Sequence, residues 1–103
     1  MTGRRSLDRV PADYLRAGTA DSWPDGELDD DAPTAVPVVR ELVLRLRREM
    51  GSRSARQVAK EADIGHTTLA ALLRGERWPD AATVAKLEAA LDADLWPGRL
   101  DGP

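Results

Sequence analysis

The sequence predicts an all-α protein in which five short helices form one domain behind an acidic, largely irregular N-terminal arm. Apolar residues recur at helical spacing after residue 35, and no segment shows the alternation of a half-buried strand. Residues 1–35 hold eight acidic residues against four arginines, which is typical of linker chemistry. We therefore expect a partly disordered arm or linker at 1–35, a helical domain at 36–97 and a tail at 98–103.

The first helix of this domain is predicted from its start, its end and one apolar face. Pro37 suits a first turn, where its missing N–H has no partner to lose, and Gly51 ends the pattern. Residues spaced i, i+3, i+4, i+7 and i+11 form the buried face: Val39, Leu42, Val43, Leu46 and Met50. Residues 1–20 contain only a weak helical face, formed by Leu7, Val10, Tyr14 and Leu15.

Two further helices follow at once, with a tight turn between them. Ser54 and Gln57 have the S-x-x-Q spacing of a capping box, and residues 63–65 (Asp-Ile-Gly) break the second helix after about two turns. The third helix places Leu69, Leu72 and Leu73 on one face, and Gly75 stands where a left-handed residue is wanted. Two short helices with such a turn are the geometry that seats the second helix in a DNA major groove.

The last two predicted helices complete a small core of leucine, valine and alanine. Asp80 is the expected N-cap of a fourth helix, with Val84, Leu87 and Leu91 inward. A fifth, short helical turn is predicted from Ala93 to Trp96, because Pro97 stops it. Trp78 and Trp96 are expected to close the edges of this core.

Composition excludes several classes of function. With no cysteine and one histidine, the chain has no thiolate site and no zinc cluster, so we expect no metal and no cofactor. It also lacks a credible catalytic set and a glycine-rich phosphate loop, so we expect no enzyme activity. No apolar run approaches the roughly 20 residues of a membrane span, and the start has no signal-peptide core. We expect a cytoplasmic protein.

The charge of the chain is unevenly distributed. The net charge is −3, but residues 36–78 alone carry nine basic residues against five acidic ones. The positive field therefore lies on the segment that holds the helix-turn-helix, as phosphate binding requires.

Residues 38–96 resemble the Cro/lambda-repressor type of helix-turn-helix domain, the XRE family. The resemblance rests on Val58-Ala59, on the turn at residues 63–65, on Leu69 with Leu72, on Gly75, and on the similar ending LEAALDADLWP. It implies double-stranded DNA as the partner and a homodimer that contacts itself through the Leu95-Trp96 turn and the fourth helix. The family's usual turn glycine is Asp63 here, the glutamine that often opens its second helix is Ala55, and its frequent late glutamate is Leu73.

The third helix is the expected recognition helix, since residues at its N-terminal end reach base edges. By that rule and by the resemblance, the base-contacting residues are His66, Thr67, Thr68 and Ala71. The expected phosphate contacts are Arg53, Arg56, Lys60, Arg74 and Arg77. Each also has an ordinary reading as a surface histidine, capping threonine, helix-forming alanine or solvated charge. The recognition helix has no asparagine or glutamine for a bidentate adenine contact, so we expect modest discrimination per subunit.

Two functions remain open at this point. The first is a DNA-binding transcriptional regulator that acts as a homodimer on a two-fold site. The second is a protein-interaction module, such as an antitoxin or accessory factor, that uses the arm at 1–35 with Trp23 and its acidic cluster at 27–31. The arm would compete with DNA if it folded over Arg53, Arg56 and Arg77. RNA binding lacks exposed aromatic platforms.

Overall fold

Four α-helices form the body of the molecule. The computed structural model describes residues 9–16 and 22–100. Within them, a short 3-10 helix at Pro11–Tyr14 precedes α1 (Ala35–Met50), α2 (Ala55–Ala62), α3 (His66–Leu73) and α4 (Ala81–Leu91). Strand-like pairing in the same residues is limited to one isolated bridge between Leu15 and Leu28. The all-α class is confirmed, and Leu7, predicted on the face of Val10 and Tyr14, lies outside the described residues.

The prediction of a fifth helix at Ala93 to Trp96 is wrong. Asp92 ends α4 in the left-handed conformation, at φ 52°. The N–H groups of Leu95 and Trp96 then donate to one carboxylate oxygen of Glu88, at 2.7 and 3.2 Å. A four-residue helical turn is too short to form without support, so a single side-chain acceptor is enough to hold these residues in an irregular conformation.

The N-cap hydrogen bonds predicted at the starts of α2 and α4 are confirmed. Ser54 Oγ accepts a hydrogen bond from the Gln57 N–H at 3.1 Å, and Asp80 Oδ1 accepts one from the Thr83 N–H at 2.8 Å. The reciprocal half of the capping box is replaced, because Gln57 Nε2 donates to Glu61 Oε2 at 3.4 Å. The two caps fix where α2 and α4 begin.

The turn between α2 and α3 is a Schellman motif centred on Asp63. This residue has φ 59°, its N–H donates to the Lys60 carbonyl at 3.2 Å, and the Ile64 N–H donates to the Ala59 carbonyl at 3.0 Å. Asp63 stands where the family usually has glycine, and it adopts the left-handed conformation that a glycine takes without strain. Ile64, partly buried, packs against the core and directs the chain into α3.

The core has two connected clusters. The larger one joins all four helices and the C-terminal segment through Leu42, Leu46, Met50, Val58, Ala59, Ala62, Leu69, Leu72, Val84, Leu87 and Leu95. The smaller one joins the arm to α1 through Tyr14, Trp23, Val36, Val39 and Val43. Leu73 and Trp78 pack at the edge of the smaller cluster, as predicted for Trp78. Trp96 is 41% exposed, so the expectation that it closes the core is wrong.

The described part of the arm is irregular, as predicted, yet it is packed onto the helices. Tyr14 and Trp23 are only 4% and 8% exposed. Arg16 pairs with Glu27 at 3.2 Å and with Asp30, and Arg40 on α1 donates to the Gly26 carbonyl at 2.8 Å. Among residues 9–16 and 22–100, no acidic side chain of the arm forms an ion pair with Arg53, Arg56 or Arg77.

Candidate nucleic-acid interface

The helix α3 is anchored on one side and open on the other. Leu69 and Leu72 are 0% and 1% exposed and hold its inner face in the core. Gly65 is its N-cap residue and provides no side-chain hydrogen bond. The first N–H groups of α3 therefore have no capping side chain, at the end where the helix dipole favours negative charge.

The four predicted base-contacting residues lie on the N-terminal part and outer side of α3. His66 and Thr67 are exposed, whereas Thr68 and Ala71 are partly buried. The Thr68 hydroxyl lies close to Gly65, 3.4 Å from the position that a Cβ on that glycine would take. All four lie on α3, with Thr67 and Thr68 one turn from Ala71, and their contact with bases stays a prediction.

Three of the five predicted phosphate contacts have exposed side chains without an ion pair in the described part of the chain: Arg56, Lys60 and Arg77. Arg56 and Lys60 lie on α2, one turn apart, and Arg77 follows α3. In that part of the chain, none of the three has to break an ion pair to bind a polyanion, and the charge of Arg77 also attracts the Asp80 carboxylate.

The other two predicted phosphate contacts are engaged within the molecule. Arg74 Nε pairs with Glu76 at 2.9 Å, but both side chains are more than half exposed and such pairs contribute little. Arg53 pairs with Glu61 at 3.1 Å and donates to the carbonyls of Glu49 and Met50 at 3.0 and 3.3 Å. Arg53 therefore stabilises the C-terminal end of α1, a role the sequence analysis missed because it depends on the fold of three segments.

Within the described residues, no group of acidic or histidine side chains could hold a metal ion. No helix in that part of the chain is long and apolar enough to cross a membrane.

A comparison with protein families decides the class. Residues 44–95, just over half of the chain, match the helix-turn-helix family model of XRE, Cro/lambda-repressor-like type. The chain belongs to this family. Its members bind DNA, and the family is not an enzymatic one. No curated protein and no solved structure matches the chain significantly.

The helix-turn-helix match covers α2, α3, α4 and the second half of α1, and it leaves out the arm. The packing of the arm onto the helices was not predicted from the sequence. The available signal was the presence of Tyr14, Trp23 and Leu28 in an otherwise acidic segment, because large apolar residues in such a segment indicate a buried contact.

Proposed function

We propose that this protein is a cytoplasmic transcriptional regulator that binds a two-fold DNA site as a homodimer, with α3 in the major groove. The observation that carries the proposal is the exposure of His66 and Thr67 at the start of α3, in a helix-turn-helix whose α2 cations, Arg56 and Lys60, are also exposed and have no ion pair in the described residues. Exposed groups able to read bases, together with exposed cations on the two helices of the motif, suit major-groove recognition.

The chemistry of the proposed readout is mixed. His66 and Thr67 provide hydrogen-bonding groups for base edges, and the methyl groups of Thr67, Thr68 and Ala71 suit contact with thymine. The small side chains of Ala70 and Ala71 allow the α3 backbone to approach the groove floor closely. Because no side chain here makes a bidentate base contact at the N-terminal end, each half-site is read with modest discrimination.

The proposed phosphate contacts are ranked by their present partners. Arg56, Lys60 and Arg77 bind phosphate directly, and Arg74 joins them by exchanging its exposed pair with Glu76. Arg53 is the least suited of the five, since binding phosphate would cost it three hydrogen bonds, two to the end of α1 and one to Glu61 on α2. These cations position the protein on DNA and add affinity that depends on salt.

A homodimer is proposed because one eight-residue helix reads too few base pairs for tight binding, whereas two half-sites about 10 base pairs apart double the contact. Leu95, one of the residues expected at the dimer contact, is fully buried in the core. Trp96 and Leu100 are the exposed large apolar residues of the described chain, at 41% and 45%. We therefore propose Trp96, with Leu100 beside α1, as the self-contact.

The test is a selection of bound sequences from a random DNA library, followed by anisotropy titration of the selected site at several salt concentrations. We expect a two-fold motif. His66→Ala and Thr67→Ala should each reduce discrimination against mismatched sites by about 0.5–1.5 kcal/mol, the net contribution of one ordinary hydrogen bond. Lys60→Ala, the matched control, should weaken specific and nonspecific binding alike. Absence of binding at about 50 mM salt contradicts the proposal, because nonspecific phosphate contact persists there.

Dimer formation has its own test in sedimentation of the free protein over a range of concentrations. Trp96→Ser should shift the monomer–dimer equilibrium towards monomer and leave the helical content unchanged, since this side chain is outside the core.

The alternative function is a protein-interaction module that binds its partner through the arm. Tyr14 and Trp23 are buried, so they are not available to such a partner while the arm is docked. A partner of the docked arm would meet exposed acids such as Asp25 and Glu27 instead.

A further inference from the structure

The arm contacts the protein at the point where the recognition helix ends. The Ala12 N–H donates to the Gly75 carbonyl at 2.9 Å, and Trp78 Nε1 donates to the Arg9 carbonyl at 2.7 Å. Between these two hydrogen bonds, the indole ring of Trp23 lies against Gly75. The arm thus holds both ends of the segment at 75–78.

Gly75 is required at this contact for two independent reasons. It has φ 72° and completes a Schellman motif, in which its N–H donates to the Leu72 carbonyl at 3.1 Å and the Glu76 N–H to the Ala71 carbonyl at 2.9 Å. A Cβ at this position would also lie 2.7 Å from Trp23 Cδ2 and Cε2. The backbone of the helix end is therefore in direct contact with the ring.

The contact is held by shape and apolar burial. Trp23 is 8% exposed, and its cluster includes Leu73, the last residue of α3, and Trp78. Its Nε1 is buried without a hydrogen-bond partner in the described structure. An aromatic ring buried in this way contributes through its area, and the unpaired N–H contributes nothing favourable.

We propose that Trp23 is a positioning residue for DNA binding: by fixing Gly75, the docked arm holds the end of α3 and the loop that carries Arg77 in the orientation needed for phosphate contact. The proposal rests on the proposed function of α3 and assigns the arm no DNA contact of its own. The family match begins at residue 44, so Trp23 lies outside it, whereas Gly75 and Arg77 lie within it.

The loop after α3 needs such support. Residues 74–80 contain no helix before α4 begins at Ala81, and their cations lie within a few residues of Gly75. Arg77 is exposed and has no ion pair in the described residues to hold its orientation. The hydrogen bond from the Ala12 N–H, the hydrogen bond from the Trp78 indole to the Arg9 carbonyl and the ring contact with Trp23 hold the first part of this loop against the arm.

A double-mutant cycle on the full chain tests the proposal through anisotropy of labelled DNA. In the wild type, Arg77→Ala should weaken binding by about fivefold, and in the Trp23→Ala background it should have an effect of less than about twofold, because the cation is already misplaced. Lys60→Ala, on α2 and remote from this contact, should lose the same factor in both backgrounds. Trp23→Phe should restore the Arg77 effect, because a flat ring remains beside Gly75.

Circular dichroism establishes that each variant is folded, and Trp23→Leu replaces Trp23→Ala if the latter is not, since leucine keeps the site apolar without a flat ring. A folded variant in which Arg77→Ala and Lys60→Ala both retain their full wild-type effects overturns the inference alone. A wild type that binds no DNA overturns the proposed function as well.

Discussion

At the scale of single residues, the left-handed backbone conformation of Asp63 allows a direct test of the turn between α2 and α3. A non-glycine residue in the left-handed conformation is strained by about 1 kcal/mol, although aspartate is among the more tolerant types. We expect Asp63→Gly to raise the free energy of unfolding by about 1 kcal/mol, because the φ of 59° then costs nothing. Urea denaturation measures this as a higher midpoint with an unchanged m-value.

The matched control for that substitution is Asp92→Gly, at φ 52° and the end of α4. It should give a gain of similar size, because the backbone conformation is the same. The Lys86 Nζ contact with the Asp63 carbonyl, at 3.2 Å, is to a backbone atom and survives the change. A lower midpoint for Asp63→Gly would show that its side chain stabilises the turn.

Asp80 links stability to pH through its cap. The Thr83 N–H bond, then the Thr83 hydroxyl at 3.1 Å, and also the charge of Arg77 hold the pKa of Asp80 below its ordinary value. A carboxyl group with a lowered pKa in the folded state stabilises the fold above its unfolded pKa, and this stabilisation is lost as the pH falls through the folded pKa. We expect Asp80→Asn, which can still cap, to remove this part of the acid sensitivity below about pH 4. Thermal melts from pH 6 to pH 3 measure it, and equal pH profiles for the two proteins would contradict it.

At the scale of elements, the helices could be predicted from sequence because their determinants are local. The periodicity of residues 39–50 and the caps at Ser54 and Asp80 act within one or two turns, and all three appear as expected. The C-terminal segment could not be predicted, because Glu88 reaches across seven residues to capture the Leu95 N–H. The arm could not either, because its order depends on Gly75, far along the chain.

The Glu88 contact supports a prediction about the C-terminal segment. Glu88→Ala should lower the free energy of unfolding by about 2 kcal/mol, because two N–H groups lose a charged acceptor and the one on Leu95 is partly buried. Glu88→Gln should lose less, since an amide oxygen still accepts. Asp94→Ala, an exposed acidic residue of the same segment, is the control and should change stability by less than about 0.5 kcal/mol. Equal losses for Glu88→Ala and Asp94→Ala would contradict the assignment.

At the scale of the whole molecule, the sequence predicted which surface of α3 faces outward. It did not predict which basic side chains near that surface are engaged in contacts within the protein. The outward face of α3 follows from its leucines, because opposite faces of a helix are fixed by the same spacing. The contacts of Arg53 with Glu61 and the end of α1 join three segments, and no pattern in the sequence brings them together. A cation's availability to DNA therefore had to come from the structure.

The protein has a net charge of −3 and DNA is also negative, so the two molecules repel each other overall. The proposed association therefore depends on the excess of basic residues at 36–78. Each phosphate contact contributes about 0.9 to the slope of log affinity against log salt.

If each protomer of a dimer uses Lys60 on one phosphate, Lys60→Ala should reduce the slope by about 1.8, whereas in a protein that binds as a monomer the slope should fall by about 0.9. Arg45→Ala is the matched control, because Arg45 is held by Glu41 and the Trp96 carbonyl and should leave the slope unchanged. Because Trp96 is the proposed self-contact, sedimentation first establishes that this variant dimerises as the wild type does. Anisotropy titrations from about 50 to 200 mM salt measure all three proteins. An unchanged slope for Lys60→Ala would remove this residue from the interface, and a change near 0.9 would show that one subunit binds alone.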